Sequence, residues 1–254
     1  MTLKTRVIAC LDIDNGVVVK GRQFSDIIKA GNPVELAKHY NDTGADELCL
    51  LDITASSQGR NALYSTIESV ARECSIPFSV GGGIRSLDDA RKILNCGADK
   101  VCIGTSAVSK PELVSEIASV FGRQCVIVSI DAKRSESDKY TVYIKGGRED
   151  SEIPVMDFVW MMEQIGAGEI LLNSIGTDGM KSGFDNHLNK LVSSVVKIPV
   201  IASGGAGAIE DFIDAVQIGG VSAVLAASVF HFNELTITQV KNGMAAAGLS
   251  IRAT

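Results

Sequence analysis

Short apolar runs alternate along the chain with longer segments whose apolar residues recur every three or four positions. The short runs are rich in valine and isoleucine, and several are apolar on both faces, which is typical of strands in a buried parallel sheet. The longer segments have the periodicity of amphipathic helices. The predicted strands are residues 6–12, 47–52, 77–80, 100–104, 125–131, 169–174, 199–203 and 223–227, and the predicted helices are residues 33–44, 62–73, 87–97, 111–122, 155–166, 186–196, 209–220 and 234–248.

Eight predicted strands, each followed by a helix, indicate an α/β protein with the (β/α)8 fold, the TIM barrel. No linker or low-complexity stretch divides the chain, so residues 1–254 are predicted to form one domain. Residues 138–147 depart from the pattern because they alternate like a hairpin after the fifth strand. Residues 14–33, between the first strand and the first helix, are long for this fold, and we expect them to form a mobile lid.

The two halves of the chain resemble each other. The sequence PFSVGGGIRS in the first half returns as PVIASGGAGA in the second, which places Gly82 and Gly204 122 residues apart. The same offset aligns GADELCLLDITAS with GAGEILLNSIGTD. Internal repetition of this kind predicts a barrel made of two similar half-barrels, related by an approximate twofold axis. The predicted half-barrels are residues 1 to about 122 and 123–254.

Composition narrows the class of function. The net charge of −6 argues against a surface that binds nucleic acid. No apolar run is long enough to span a membrane and the N-terminus does not resemble a signal peptide, so we expect a soluble, cytoplasmic protein. The six cysteines form no CxxC pair, which favours small buried side chains in a reducing compartment. The three histidines lack metal-ligand spacing, and neither a metal nor another cofactor is predicted.

Glycine-rich turns follow the third and seventh predicted strands, at Gly82 and Gly204. In a barrel of this kind each would lie beside the short turn after the next strand, at residues 104–106 and 226–228. Exposed backbone N–H groups and helix N-termini bind phosphate, although a single glycine-rich loop is often only a tight turn. Because this arrangement occurs twice, we predict a long substrate with a phosphate at each end.

Two aspartates occupy equivalent places between these turns. Asp12 closes the first predicted strand and Asp131 closes the fifth. Two carboxylates across a closed mouth suit general acid–base catalysis, because their surroundings can separate their pKa values. An aspartate at a strand end can also simply cap a loop. Other polar residues on the same face are Lys20, Asp52, Asp178 and Ser203.

Charged residues also begin four of the predicted strands, at the opposite end of the barrel from the aspartates. Two are cations and two are anions, so they can be separate solvated or paired caps. The alternative is a ring of ion pairs around an axial opening, with compensated charge in a confined place. The four residues are Arg6, Glu47, Lys100 and Glu169.

At these positions the chain resembles the cyclase subunit of imidazole glycerol phosphate synthase, an enzyme of histidine biosynthesis. The likeness extends over nearly the whole chain, and several of its blocks are specific to that family. The resemblance implies a TIM barrel that acts on PRFAR, a nucleotide-like compound with a phosphate at each end. Ammonia attacks PRFAR, and cleavage and ring closure yield imidazole glycerol phosphate and AICAR. The blocks are RVIACLD, VVKG, DELCLLDITAS, PFSVGGGI, GADKV, SIDAKR, GAGEILLNSI, DGMKSGFD, PVIASGGAG and LAASVFHF.

The resemblance also implies roles for individual residues. Asp12 and Asp131 would be the acid–base pair, and Lys20 a lid lysine that helps to hold the substrate. The ammonia would come from a glutaminase subunit docked on the bottom of the barrel, with Asp99 at that interface. The family's gate corresponds to Arg6, Glu47, Lys100 and Glu169. The phosphate sites correspond to Gly83 and Thr105 in one half and to Asp178, Gly179, Gly205, Ala227 and Ser228 in the other, within turns that also contain Gly104 and Gly204.

One residue departs from the family pattern. The turn after the fourth strand usually contains asparagine, and here Gly104 takes its place. Two alternatives stay open beside the cyclase. A related barrel supports an amidotransferase that installs an acetamidino group on a surface sugar, and Gly104 favours that alternative, whereas the intact CLDIDNG and SIDAKR stretches favour the cyclase. An isomerase of the same half-barrel build also uses two strand-end aspartates, but it needs no gate for ammonia.

Overall fold

Twelve strands occur in the described part of the chain, and eight of them close into a parallel barrel. The computed structural model describes residues 4–22, 25–53, 59–135 and 139–252, without the side chains of residues 20–22, 25–27 and 59–62. The strands are β1 (Arg6–Asp14), β2 (Val17–Arg22), β3 (Ser25–Gly31), β4 (Glu47–Asp52), β5 (Phe78–Gly81), β6 (Lys100–Ile103), β7 (Val126–Arg134), β8 (Tyr140–Ile144), β9 (Glu149–Pro154), β10 (Glu169–Ser174), β11 (Val200–Ser203) and β12 (Ala223–Ala226).

The order around the barrel is β1, β4, β5, β6, β7, β10, β11 and β12. The last strand pairs back with the first in parallel, with Ala223 beside Arg6. All eight predicted strands are present within a few residues of their predicted bounds, and the predicted TIM barrel is confirmed. Parallel strands place all their C-terminal ends at one mouth, which is where a barrel of this class builds its site.

Two of the barrel strands continue into antiparallel hairpins beyond the barrel. Strand β1 pairs with β2, which pairs with β3, so part of the predicted lid at residues 14–33 is a β-hairpin. Strand β7 pairs with β8, which pairs with β9, and this confirms the hairpin predicted after the fifth barrel strand. Because β1 and β7 lie four places apart in the barrel, the two hairpins rise from opposite sides of its mouth.

Helices follow the barrel strands and cover the outside of the sheet. Side-chain oxygens of Asn32, Ser86, Asp185 and Thr236 accept N–H groups at the starts of four of them, which satisfies donors that a helix leaves open. The helices are α1 (Pro33–Asp42), α2 (Gly59–Glu73), α3 (Leu87–Asn95), α4 (Thr105–Ser109), α5 (Glu112–Phe121), α6 (Val155–Ile165), α7 (Asn186–Val195), α8 (Ile209–Gln217), α9 (Ser228–His231) and α10 (Ile237–Ala246).

The core has two layers because successive side chains of a strand point to opposite faces. One layer packs the strands against the helices, and the other fills the inside of the barrel. Three of the six free cysteines are buried inside, whereas Cys74 and Cys96 are only half-buried, as is Cys125. Burial raises the pKa of the Cys102 thiol. The inner layer contains Ile8, Cys10, Cys49, Cys102, Ile127, Leu171, Ile201, Ala223, Leu225 and Ala227.

A buried ion pair ties the last helix to the bottom of the barrel. Lys241 on α10 donates to Asp46 Oδ1 at 2.9 Å and to the carbonyl of Gly44 at 2.7 Å. The second oxygen of Asp46 accepts the N–H of Val7 on β1 at 2.8 Å. Each charge therefore has close partners although both side chains are almost wholly buried. Across the described ranges, none of the helices combines the length and apolar character needed to cross a bilayer.

Candidate active site

A cavity of about 560 Å³ lies at the C-terminal ends of the barrel strands. Lys20 belongs to β2, but its side chain lies outside the described part of the structure. The structure brings the other residues predicted at the mouth together in the lining of this cavity. They are Asp12, Asp52, Gly83, Gly104, Thr105, Asp131, Asp178, Gly179, Ser203, Gly204, Gly205, Ala227 and Ser228.

The two candidate catalytic aspartates face each other across the mouth. Asp12 lies on β1 and Asp131 on β7, and these strands are four places apart around the eight-stranded barrel. Both side chains line the same cavity. The thiol of Cys10, two residues before Asp12 on the same strand face, donates to Asp12 Oδ1 at 3.4 Å. The arrangement can therefore act on a substrate from two opposite sides.

The surroundings of Asp131 shift its acidity. Burial raises the pKa of this carboxyl above its ordinary value, and the negative charge of Asp178 acts in the same direction. A hydrogen bond from Asn173 Nδ2 to Asp131 Oδ1, 3.0 Å long, acts against burial and favours the charged form. Asp131 thus keeps a proton at a higher pH than an exposed aspartate does, which suits a group that exchanges protons with a substrate.

The glycine-rich turns have a backbone that demands glycine. Gly82 and Gly204, one in each half of the chain, have φ angles of 99° and 86°. A Cβ atom at Gly82 would lie 2.1 Å from the carbonyl oxygen of Asp52, so no larger residue fits there. Asp89 Oδ2 accepts the N–H of Arg85 after the first turn, and Asp211 Oδ2 accepts the N–H of Gly207 after the second, at the same 122-residue offset. The two turns are therefore built and anchored alike.

The turns after β6 and β12 complete each side of the mouth. Gly104 precedes α4 and Ala227 precedes α9, and neither helix start has a side-chain cap. The periodicity of the sequence did not predict these helices, because five and four residues are too short to produce a repeating pattern. A Cβ atom at Gly104 would lie 3.8 Å from the Ser129 carbonyl oxygen, so a side chain has room to begin there.

Three cations that the sequence analysis did not single out also line the cavity. Arg85 follows the turn at Gly82, and Lys145 and Arg148 belong to the hairpin of β8 and β9. The backbone N–H of Lys145 donates to Thr105 Oγ1 at 2.9 Å, which fixes the hairpin against the turn after β6. Positive charge therefore gathers on the side of the mouth that holds Gly104. The only sequence signal for the two hairpin cations was the hairpin itself, which gave no information about where its tip lies.

At the opposite end of the barrel, the four charged residues that begin strands form a closed ring. Arg6 donates to Glu47 and to Glu169, with both N–O distances 2.7 Å. Lys100 completes the ring with distances of 3.1 Å to Glu47 and 2.5 Å to Glu169. Of the two alternatives predicted for these residues, the structure therefore has the ring of ion pairs.

Mutual charge compensation sets the ionisation of the ring. Burial alone would raise the pKa of Glu169, but the hydrogen bonds and charges of Arg6 and Lys100 outweigh burial and lower it. Burial lowers the pKa of Arg6, and the two glutamates more than reverse that effect. Arg6 and Glu169 are therefore both charged near neutral pH. Asp99, the predicted interface residue, is exposed beside this ring and accepts the N–H of Phe78 at 2.9 Å.

Within the residues that the structure describes, no three His, Cys, Asp or Glu side chains come together in a way that could hold a metal ion.

The chain does match a known family. A family model described as "Histidine biosynthesis protein" matches residues 6–236. That range includes all eight barrel strands, the ring and every residue named above at the cavity, and it ends where α10 begins.

Proposed function

The chain belongs to the histidine biosynthesis protein family, and we propose that it is the cyclase subunit of imidazole glycerol phosphate synthase. In this proposal ammonia attacks PRFAR in the cavity at the mouth of the barrel. Cleavage and ring closure then release imidazole glycerol phosphate and AICAR. The reaction requires a site for a long bisphosphate, groups that move protons on both sides of it, and a supply of ammonia.

The ring of four ion pairs is the observation that favours a cyclase over an isomerase within the family. An isomerase of the same build would also use two aspartates at strand ends, so Asp12 and Asp131 do not separate the two activities. An isomerase has no second substrate to admit from the bottom of the barrel. A closed, charge-neutral ring of Arg6, Glu47, Lys100 and Glu169 at that end fits the passage of a small neutral molecule into the barrel.

The two glycine-rich turns support the bisphosphate part of the proposal. Gly83 and Thr105 would hold one phosphate, together with the backbone of Gly104. Asp178, Gly179, Gly204, Gly205, Ala227 and Ser228 line the opposite side of the cavity, where the second phosphate would lie. The central part of the substrate would then lie between Asp12 and Asp131.

The aspartates would act as a proton-transfer pair on the central part of the substrate. Asp131 suits this role because burial raises its pKa while its hydrogen bond to Asn173 still supports the charged form. Asp12 would act from the opposite side, where Cys10 donates to its carboxylate. Proton transfer by a positioned side chain typically contributes about 10²- to 10⁴-fold to a rate.

The ammonia would come from a glutaminase partner bound at the end of the barrel where the strands begin. Asp99 is exposed there, next to the ring, and is available for such a contact. The interior between the ring and the cavity is mostly apolar, with the thiols of Cys49 and Cys102 among its side chains. A dry interior of this composition would exclude competing water from the delivered ammonia.

A second candidate function follows from Gly104. A barrel that supports an amidotransferase in acetamidino modification of a surface sugar would need the partner face but less of the cyclase chemistry. Glycine lacks the asparagine side chain that is usual in cyclases at this turn. A Cβ atom would have room there, since it would lie 3.8 Å from the Ser129 carbonyl oxygen. The paired aspartates and the two glycine turns at the mouth favour the cyclase over this alternative.

The test is the turnover of PRFAR by the purified chain, with ammonium salt at alkaline pH and AICAR release followed by absorbance. Asp131→Asn should lose this activity. Asp88→Asn is a matched control, because its carboxylate lies on the exposed surface of α3 and pairs with Lys92 in the same helix. The same preparations are assayed with the two-phosphate intermediate that precedes PRFAR.

Turnover of PRFAR that survives in Asp88→Asn and disappears in Asp131→Asn would support the cyclase. Turnover of the preceding intermediate without ammonia would identify an isomerase instead. A folded chain with neither activity, which still stimulates a glutaminase on mixing, would move the assignment to the amidotransferase-supporting barrel.

A further inference from the structure

Asn173 is a polar side chain inside the barrel that the predicted catalytic set does not include. It is the fifth residue of β10, in the register between Asp131 on β7 and Ser203 on β11. Two residues earlier on the same face is Leu171, which belongs to the apolar interior of the barrel. Asn173 is thus the first polar side chain above the apolar interior on this strand, and it lines the cavity.

The amide of Asn173 lies between the Asp131 carboxylate and the turn at Gly204. Its Nδ2 donates to Asp131 Oδ1 at 3.0 Å. On its other side lies Gly204, where an added Cβ atom would come within 2.7 Å of Asn173 Oδ1. An ionised carboxylate only accepts hydrogen bonds, so the NH₂ group of the amide must face Asp131 and the oxygen must face the turn. The absence of a side chain at Gly204 therefore leaves the space that the amide oxygen occupies.

Other charged or titratable groups surround Asp131 without taking over this role. Asp178, in the loop after β10, opposes its ionisation through like charge. Cys102 on β6 is close enough for the two groups to influence each other. Tyr143 is the register neighbour on β8, and Lys133 lies over its ring at 5.4 Å. Within the described residues, Asn173 is the one side chain that donates a hydrogen bond to the Asp131 carboxylate.

We propose that Asn173 is a positioning residue for Asp131, which holds the carboxylate in one orientation towards the mouth and in its ionised form. The inference rests on the proposed function, because it assigns Asp131 the state of a proton acceptor at the start of the reaction. Without the donor, burial and Asp178 would act on Asp131 unopposed, so its pKa would rise further. The carboxylate would then lose both its orientation and part of its charge.

The first measurement needs no substrate. The carboxyl carbon of Asp131 is titrated by ¹³C NMR in the ligand-free chain, with its signal assigned by its absence in Asp131→Asn. The midpoint should move to higher pH in Asn173→Ala and return towards the original value in Asn173→Thr, whose hydroxyl can donate again. Asn242→Ala, on the exposed side of α10, should leave it unchanged. Asn173→Leu removes the same donor with less change in volume, should the alanine variant not fold.

The second measurement is the pH dependence of PRFAR turnover. In Asn173→Ala the acidic limb of the profile should move to higher pH, kcat should fall about tenfold or more, and KM should change little. A purely structural role would lower stability without moving the limb. An unchanged Asp131 midpoint in both Asn173→Ala and Asn173→Leu would overturn the inference. A shifted midpoint with no PRFAR turnover in the unmodified chain would sustain it and refute the proposed reaction instead.

Discussion

Removing the cation of the buried pair between Lys241 and Asp46 should destabilise the fold strongly. The two side chains are 4% and 3% exposed, and the N–O distance is 2.9 Å. In Lys241→Met the Asp46 carboxylate would remain buried, with the N–H of Val7 still donating to it. Breaking a buried pair by removing one partner costs about 3–5 kcal/mol, because an uncompensated charge stays behind.

The chain contains a matched comparison. Lys38 and Glu73 form a pair of similar length, 3.0 Å, but their side chains are 55% and 46% exposed. Water screens such a pair, so Lys38→Met should lower the free energy of unfolding much less than Lys241→Met does. The double variant Lys241→Met/Asp46→Asn removes both buried charges and keeps an oxygen that can accept from Val7. It should therefore be more stable than Lys241→Met alone.

The assay is equilibrium unfolding in urea at neutral pH, followed by far-ultraviolet circular dichroism. Each ΔG of unfolding is compared with that of the unmodified chain, provided that the slopes agree. If Lys241→Met lowered the free energy of unfolding no more than Lys38→Met, burial would not be what makes the Lys241–Asp46 pair stabilising. A double variant as unstable as the sum of its two single variants would show that the two charges are not coupled.

Three further predictions concern the mouth and the ring. Asp12→Asn and Asp131→Asn should each lower kcat for PRFAR by orders of magnitude with little change in KM, and near-normal turnover in either would remove that residue from the proposed chemistry. Gly104→Asn should fold normally because its Cβ has room, and it should lower KM about fivefold if the added amide gains a hydrogen bond worth about 1 kcal/mol; an unchanged KM would contradict this. The pKa of Glu169 is lowered from 4.5, so its contribution to stability is present above that pH and is lost as the pH falls through the lowered value. In Glu169→Gln the urea midpoint should therefore depend less on pH in the acidic range, and an unaltered dependence would count against the ring as the cause.

The barrel could be predicted because each of its strands is a separate apolar run with a turn at its end. The candidate catalytic residues near the ends of β1 and β7 could be predicted for the same reason, since Asp12 and Asp131 interrupt apolar runs. The first of these strands extends to Asp14 and the second to Arg134, beyond the predicted ends, because each gains an antiparallel partner outside the barrel. Both partners lie close in sequence, since Asp14 pairs with Val17 and Arg134 pairs with Tyr140, but the added strand residues follow the apolar runs that marked the predicted strands.

Side-chain contacts across strands were harder to predict. The spacing of Arg6, Glu47, Lys100 and Glu169 placed four charges at one end of the barrel, but only the register of the strands decides that they meet in a ring. The role proposed for Asn173 could not be predicted, because in the run EILLNS it resembles an ordinary polar residue at the end of a strand. That role depends on its hydrogen bond to Asp131, which precedes it by 42 residues.

The ring also has a consequence for how the two halves of the chain recognise each other. Its cations both come from the first half, as does Glu47, whereas the second half supplies only Glu169. If the chain were divided after Gly122, two copies of the first fragment would bring four cations and two carboxylates together, and two copies of the second would bring two carboxylates and no cation. Only one copy of each gives a neutral ring. Charge at the base of the barrel therefore disfavours self-association of either fragment and selects the mixed pair.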